Sequence, residues 1–251
     1  RAITDDPSSP TGLVIGGDFT HIDLAARSHI ARFTGATFQP LGPGLNDRVN
    51  AVLVASDGSV YAGGFFTGTG DYVEDQAGVA LAHIAKWNGA TWEPLGDGLD
   101  GYVRDLAEWH GDIVAVGQFD WSGDTKLSSI ARWDGDAWQP IGEGTEFMYD
   151  FGVALPLGAV TAQDNGLFLA GAFVDLVVGD ATLSGVAWWN GTSFEPLDIG
   201  TNDLVEDVVI TPDGRAAFVG GPFTRAGGRP ALGLGRWEFD DLIGAPIPSQ
   251  P

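Results

Sequence analysis

Nine residues of this chain set ring faces beside carboxylates as a ligand site requires: Tyr72, Glu74, Asp75, Tyr102, Trp121, Asp124, Phe147, Tyr149 and Asp150. Rings supply apolar area and carboxylates accept hydrogen bonds, a combination suited to a carbohydrate, a peptide or a cationic segment. Six of the nine fall in two long stretches, TGTGDYVEDQAGVALA over 67–82 and GEGTEFMYDFGVALP over 142–156. Plainer readings compete: 147–151 as an apolar plug or cover, and 72–75 as a solvated loop. Calcium could draw oxygen ligands from Asp71, Glu74 and Asp75, or from Asp120 and Asp124, although neither group has EF-hand spacing. The four histidines are too scattered for zinc. No G-x-S-x-G elbow or phosphate loop occurs, and 34 acids leave no carboxylate pair singled out, so no catalytic residue is assigned.

The charge narrows the partners. With 34 acidic against 12 basic residues, the formal charge of -22 disfavours phosphate-bound nucleic acid and anionic membranes. Turn chemistry, solubility and secreted-protein acidity are the plain readings of this excess. The absence of cysteine removes disulfides, thiolate metal sites and cysteine nucleophiles. No apolar run approaches the roughly 18 residues needed to span a bilayer. The start, RAIT, has neither the basic region nor the apolar core of a signal peptide, and without an initiator Met it is expected to be processed or cut from something longer.

The elements that must position these residues come from a repeat. Gly-x-Phe recurs at Gly17/Phe19, Gly64/Phe66, Gly117/Phe119, Gly171/Phe173 and Gly221/Phe223, giving five units of about 51 residues. Each unit reads as an apolar first strand, a turn, a second strand carrying Gly-x-Phe, and a hairpin of third and fourth strands. The best hairpin is HIAKWNGATWEPLG, 83–96, with Asn88-Gly89 expected as a two-residue type I′ turn that pairs Ala85 with Trp92 and sets both tryptophans on one face. Asn190-Gly191-Thr192 is likewise a turn before it is a glycosylation sequon. Pro40, Pro94, Pro140 and Pro196 mark the fourth strand as the outer edge, because proline cannot donate to a ladder.

An apolar inner strand, a glycine-bearing second and a proline-blocked outer strand describe the blade of an all-β fold, a β-propeller of five blades of about four antiparallel strands. Residues 1–243 form that single domain, the fifth blade has an irregular outer strand, and 244–251 is a Pro-rich linker or tail. Arg32, Lys86, Arg132 and Arg236 share one repeat position and are expected to pair with carboxylates of a neighbouring blade. The second-to-third loops and blade-to-blade connections share one face, and the candidate site residues lie there.

These units resemble the kelch repeat of β-propellers. They are more similar still to repeats of secreted bacterial propellers and fungal cell-cortex marker proteins, in the form GG-x-FT followed by IA-R-W-NG-xx-W-x-PLG. The resemblance implies a scaffold for binding and transfers no catalytic residue. The reading is a non-enzymatic extracellular or cell-surface binding module for a protein or glycan. No cofactor is assigned beyond possible calcium, and neither nucleic acid binding nor direct membrane insertion is expected. The alternatives are a polysaccharide-acting hydrolase or lyase with axial carboxylates, and a structural subunit of a surface assembly.

Overall fold

A computed structural model of the 251-residue chain describes residues 2–7, 11–71, 77–142, 157–211 and 213–239, and the backbone of 246–248. It is all β, with no helix among the described residues. Five four-stranded antiparallel sheets follow one another along the chain. The first comprises Ala2–Asp6, Gly12–Gly16, Ile30–Phe33 and Phe38–Pro40. The second comprises Val49–Val54, Val60–Gly64, Ile84–Trp87 and Trp92–Pro94. The third comprises Val103–Trp109, Asp112–Gly117, Ile130–Trp133 and Trp138–Pro140. The fourth comprises Leu157–Gln163, Gly166–Gly171, Val186–Trp189 and Phe194–Pro196. The fifth comprises Asp207–Ile210, Ala216–Gly220, Leu234–Phe239 and Pro246–Pro248.

Pro246–Pro248, within the stretch read from sequence as a linker or tail, pairs as the fourth strand of the fifth sheet. Trp237 pairs with Pro248 and Glu238 with Ile247. Prolines on both sides of Ile247 suit an edge, where a strand needs few donors. In the sheets before it, each expected proline sits opposite an alanine of the third strand, as in Ala85 with Pro94.

Four clusters of buried residues fill the four joins between successive sheets. Side chains alternate across each strand, so every sheet sends one set forward to its successor and one back to its predecessor. Val14 and Ile30 go forward from the first sheet to meet Val60, Ala62, Trp87 and Trp92 of the second. The glycines of the second strand make room for this. A Cβ on Gly63 would collide with Val103 Cγ1 of the next sheet, and one on Gly64 with the Arg48 carbonyl oxygen.

The hairpin departs from the expected type I′ turn. Trp87 stands directly opposite Trp92, Lys86 opposite Glu93, and residues 88–91 form a four-residue loop. Asn88 Oδ1 accepts the N–H groups of Ala90 and Thr91, each at 2.9 Å, and only Gly89 is left-handed, at φ 99°. The asparagine side chain caps the loop instead of entering the left-handed region itself. Asp134 and Asn190 do the same in the third and fourth sheets. The slip keeps both tryptophans on one face, with ring centroids 5.4 Å apart. Trp92 Nε1 donates to the Leu41 carbonyl of the first sheet at 2.9 Å, and Trp138 Nε1 to the Leu95 carbonyl of the second at 3.0 Å.

The shared basic position also departs from expectation, because its partners lie in the same sheet. Arg32 Nε is 2.8 Å from Asp6, Lys86 Nζ is 3.8 Å from Asp57, Arg132 pairs with Asp112, and Arg236 with Glu238. Asp6 lies two strands away across the first sheet, Asp57 in the adjoining turn, Asp112 on the neighbouring strand and Glu238 two residues along the same strand, so each cation finds an acid without reaching another sheet.

Candidate ligand site on the long-loop face

In this strand order the first-to-second and third-to-fourth turns share one face, and the second-to-third connections and sheet-to-sheet connections share the other. The long-loop face is more regular than its sequence suggests. Two-stranded ribbons extend the second-to-third connections of the first, third, fourth and fifth sheets. One side chain pins such a connection to the incoming chain. Asn46 Oδ1 accepts the N–H groups of Thr67 and Gly68, and Asn202 Oδ1 those of Thr224 and Arg225. In the third sheet Asp100 takes this role, accepting Asp120 N–H at 2.8 Å and Trp121 N–H at 2.9 Å.

At the inner end of the second and third sheets these connections build a stack. The Arg48 guanidinium lies 4.2 Å from the centroid of the Phe65 ring. Phe65 stacks on Tyr102, centroids 4.3 Å apart and planes 13° from parallel. The Arg104 guanidinium closes the far side, 5.4 Å from the Tyr102 centroid, with Nη2 3.4 Å from the hydroxyl. Tyr102 Oη donates to Gln118 Oε1 at 2.5 Å, which fixes the ring. Phe65 and Gln118 are the middle residues of two Gly-x-Phe units, so the repeat itself brings them level.

The stack sets two cations against ring faces. Neither Arg48 nor Arg104 has a carboxylate within ion-pair distance among the described residues, and Arg48 Nε is buried there without a hydrogen-bond partner. Stacked guanidiniums present their N–H edges sideways, the geometry that grips an oxyanion with two parallel hydrogen bonds. Since the ring faces are taken by each other and by the guanidiniums, the edges of the stack are what a ligand meets.

Of the residues expected from sequence, Tyr102 is in the stack. Trp121 and Asp124 lie on the neighbouring ribbon, Trp121–Ser122 with Thr125–Lys126. Trp121 is 41% exposed, with Lys126 Nζ 5.9 Å from its ring centroid. Backbone bonds from Gln118 to Tyr102 and from Asp100 to Trp121 tie ribbon and stack into one wall. Tyr72, Glu74, Asp75, Phe147, Tyr149 and Asp150 lie outside the described residues. Sequence reasoning missed Arg48, Phe65, Arg104 and Gln118. The available signal was Phe65, the one ring among the middle residues Asp18, Phe65, Gln118, Ala172 and Pro222.

The acids divide by environment. Backbone N–H groups of the turns pull Asp57 and Asp134 below the ordinary aspartate range, and the Thr211 hydroxyl with a backbone N–H does the same at Asp213, so these three serve turn chemistry. Burial pushes Asp120 up, with Asp100 adding like-charge repulsion, and its buried Oδ1 has no hydrogen-bond partner among the described residues. Asp105, partly buried where the third sheet meets the fourth, is pushed up by desolvation to about 7. Both its oxygens accept backbone N–H groups, from Leu106 and Val160, each at 2.9 Å. Burial pushes His83 down, and its Nδ1 lies 3.3 Å from the Gly64 carbonyl. No group of three or more metal-ligating side chains gathers among the described residues.

On the short-turn face, a cleft of about 310 Å³ between the second and third sheets is lined by Tyr61, Lys86, Glu93, Trp133 and Asp134. Its charged groups are already engaged. Lys86 pairs with Asp57, Glu93 accepts from Asn88, and Asp134 caps its own turn. The stack, by contrast, keeps Arg48 Nε without a hydrogen-bond partner among the described residues.

Solved structures of similar shape decide the architecture. An ancestral GH74 enzyme superposes with a TM-score of 0.59 at 13% identity, over 98% of this chain and 30% of that one. The WD40 beta propeller domain of Doa1 gives 0.54 at 15% identity, over 98% of this chain and 67% of that one. The chain is a β-propeller. The extracellular domain of a two component system protein from B. thetaiotaomicron gives 0.54 at 12% identity, over 96% of this propeller and 27% of that chain. This propeller thus spans about a third or less of the length of two of the three. No protein-family model and no curated protein matches its sequence. No helix among the described residues is long and apolar enough to cross a membrane.

Proposed function

We propose that this propeller is a non-enzymatic binding module of extracellular or cell-surface type, its five sheets acting as successive blades. The ligand site is the Arg48–Phe65–Tyr102–Arg104 stack with Gln118, and the ligand is a protein or glycan that carries carboxylate groups. One observation carries this reading. In a chain of charge -22, two guanidiniums lie over rings on the long-loop face with no carboxylate partner among the described residues, while four other basic side chains are ion-paired. Arginine and tyrosine in a fixed array are also the residue types that dominate binding hot spots. An extracellular domain and a WD40 domain among the similar folds are consistent with this use.

The hydrolase alternative has a GH74 enzyme among the similar folds and Asp105 with its raised pKa. Against it, backbone N–H groups occupy both oxygens of Asp105, so the carboxyl braces two sheets and does not face a substrate.

A matched panel tests the proposal: neutral and uronate-containing oligosaccharides, neutral and acidic peptides, each titrated at low and high salt. Binding restricted to the carboxylate-bearing members, weakened at least about tenfold by Arg104→Ala and by Arg48→Ala at an unchanged melting temperature, is expected. Equal binding by wild type and both variants would overturn the site. Release of reducing ends from any oligosaccharide would move the assignment to the hydrolase.

A further inference from the structure

The four joins between successive sheets are dry, and the outer faces of the first and fifth sheets are not. Register identifies equivalent positions. Leu234 stands opposite Gly220, as Ile30 opposite Gly16, Ile84 opposite Gly63, Ile130 opposite Val116 and Val186 opposite Ala170. Those four equivalents are 0–1% exposed, whereas Leu234 is 62% exposed. Val209, which shares the forward face of the fifth sheet with Phe218, is 61% exposed.

The first sheet mirrors this on its backward face. Ile3 stands opposite Ile15, as Leu106 opposite Ala115, Val160 opposite Leu169 and Val208 opposite Val219. Ile3 is 66% exposed against 7%, 4% and 8% for those equivalents. Leu13, Ile15, Phe33 and Phe38 on the same face are only partly covered. No buried cluster spans the first and fifth sheets among the described residues.

We infer that these two faces are a docking surface for a further four-stranded sheet of this same repeat, which seats between the fifth and first sheets. The occupant follows from the joins already formed. At each of four joins a forward face of this pattern meets a backward face of this pattern, and the two uncovered faces are one of each kind. A forward face with Leu234, Val209 and Phe218 fits what a repeat offers backward: an apolar second strand and the ring pair of a hairpin, as Val60, Ala62, Trp87 and Trp92 do in the second sheet. A second whole copy of the chain fits less well. Its backward face could cover one forward face, but the contact is head-to-tail and leaves another open face for the next copy.

The chain has no cysteine, so single introduced thiols report each face separately. The thiols of Leu234→Cys and Ile3→Cys are expected to react with a maleimide within about tenfold of the free-thiol rate, and that of Ala62→Cys, at a filled join, at least about a hundredfold more slowly. A copy of residues 41–95 joined after Pro251 through a flexible linker is then expected to slow labelling of the Leu234→Cys variant at least about tenfold and to raise the melting temperature. Unchanged labelling of that variant in the extended chain would overturn the proposal. Slow labelling of the same variant in the 251-residue chain would overturn it as well, through ring closure if light scattering gives the monomer mass and through self-association if it gives a multiple.

Discussion

The two ends of the sheets treat charge in opposite ways. On the short-turn face the acids and asparagines are spent locally. Asn88, Asp134 and Asn190 cap their own hairpins, and Lys86 pairs with Asp57 at the neighbouring turn. On the long-loop face, among the described residues, Arg48 and Arg104 sit against rings with no carboxylate in reach, and Asp120 keeps a buried oxygen unbonded. Features that recur from unit to unit stabilise the sheet. Features found at one join only, such as Phe65 on Tyr102, are free to serve a ligand.

The sharpest way to break that contrast is to set a hairpin ring against a stack ring. Trp92→Ala removes a side chain 2% exposed, its ring contact with Trp87 and its bond to Leu41, and should cost about 3–5 kcal/mol. That corresponds to a fall in melting temperature of about 6–20 °C. Tyr102→Ala should cost less than about 1.5 kcal/mol while abolishing binding of carboxylate-bearing ligands. If denaturant titrations put Tyr102→Ala level with Trp92→Ala, the stack is a structural brace and the contrast fails. A smaller change isolates the bond between sheets. Trp138→Phe keeps most of the packing and removes the indole bond to the Leu95 carbonyl, which retains the Gly98 N–H, and should cost about 0.5–1.5 kcal/mol at chemical unfolding.

A pH series sharpens the comparison at the inner strands. The carboxyl of Asp105 is raised from 3.8 to about 7 in the folded chain, so over that interval the folded state holds a proton that the unfolded state has released. Its contribution to stability is therefore greatest below about pH 4 and is lost as pH rises through about 7. Asp105→Ala, the residue at the equivalent positions 51 and 159, should gain on wild type steadily between about pH 4 and about pH 8. A difference in melting temperature that stays flat across the series would sink this account.

The smallest effect is expected at Asp100→Asn, the residue that serves at 46 and 202. It keeps the two N–H acceptor bonds and removes the repulsion on Asp120, raising the melting temperature by about 1–2 °C at about pH 7 and not at all below about pH 4. Thermal scans at the two pH values decide it.

Much of the scaffold was legible because it repeats. Gly-x-Phe, the apolar first strands and the fourth-strand prolines each fix an element with a stereochemical reason, and sheets of four strands follow. Two local readings failed where a second mechanism competed for the same residues. Asn-Gly can form a type I′ turn, but the Asn88 carboxamide captured two N–H groups and shifted the register of the tryptophans. Arg32 and its equivalents found acids within their own units. The stack was half legible: Tyr102 was placed on the right face, but Phe65 lies 37 positions earlier and meets it only because two sheets pack side by side. The clamps at Asn46 and Asn202 gave no warning, since a lone asparagine before a strand resembles any loop residue.

The hairpin indole bonds between sheets have a direction, whereas Trp109 at the end of a first strand donates forward to the Gln163 carbonyl. Trp92 reaches back to Leu41, and Trp138 back to Leu95; in each case the donor is translated after its acceptor. A nascent hairpin leaving the ribosome thus finds the carbonyl its indole needs already in place, and can lock onto the unit before it. Assembly of this arc is suited to run in the direction of synthesis, one unit at a time.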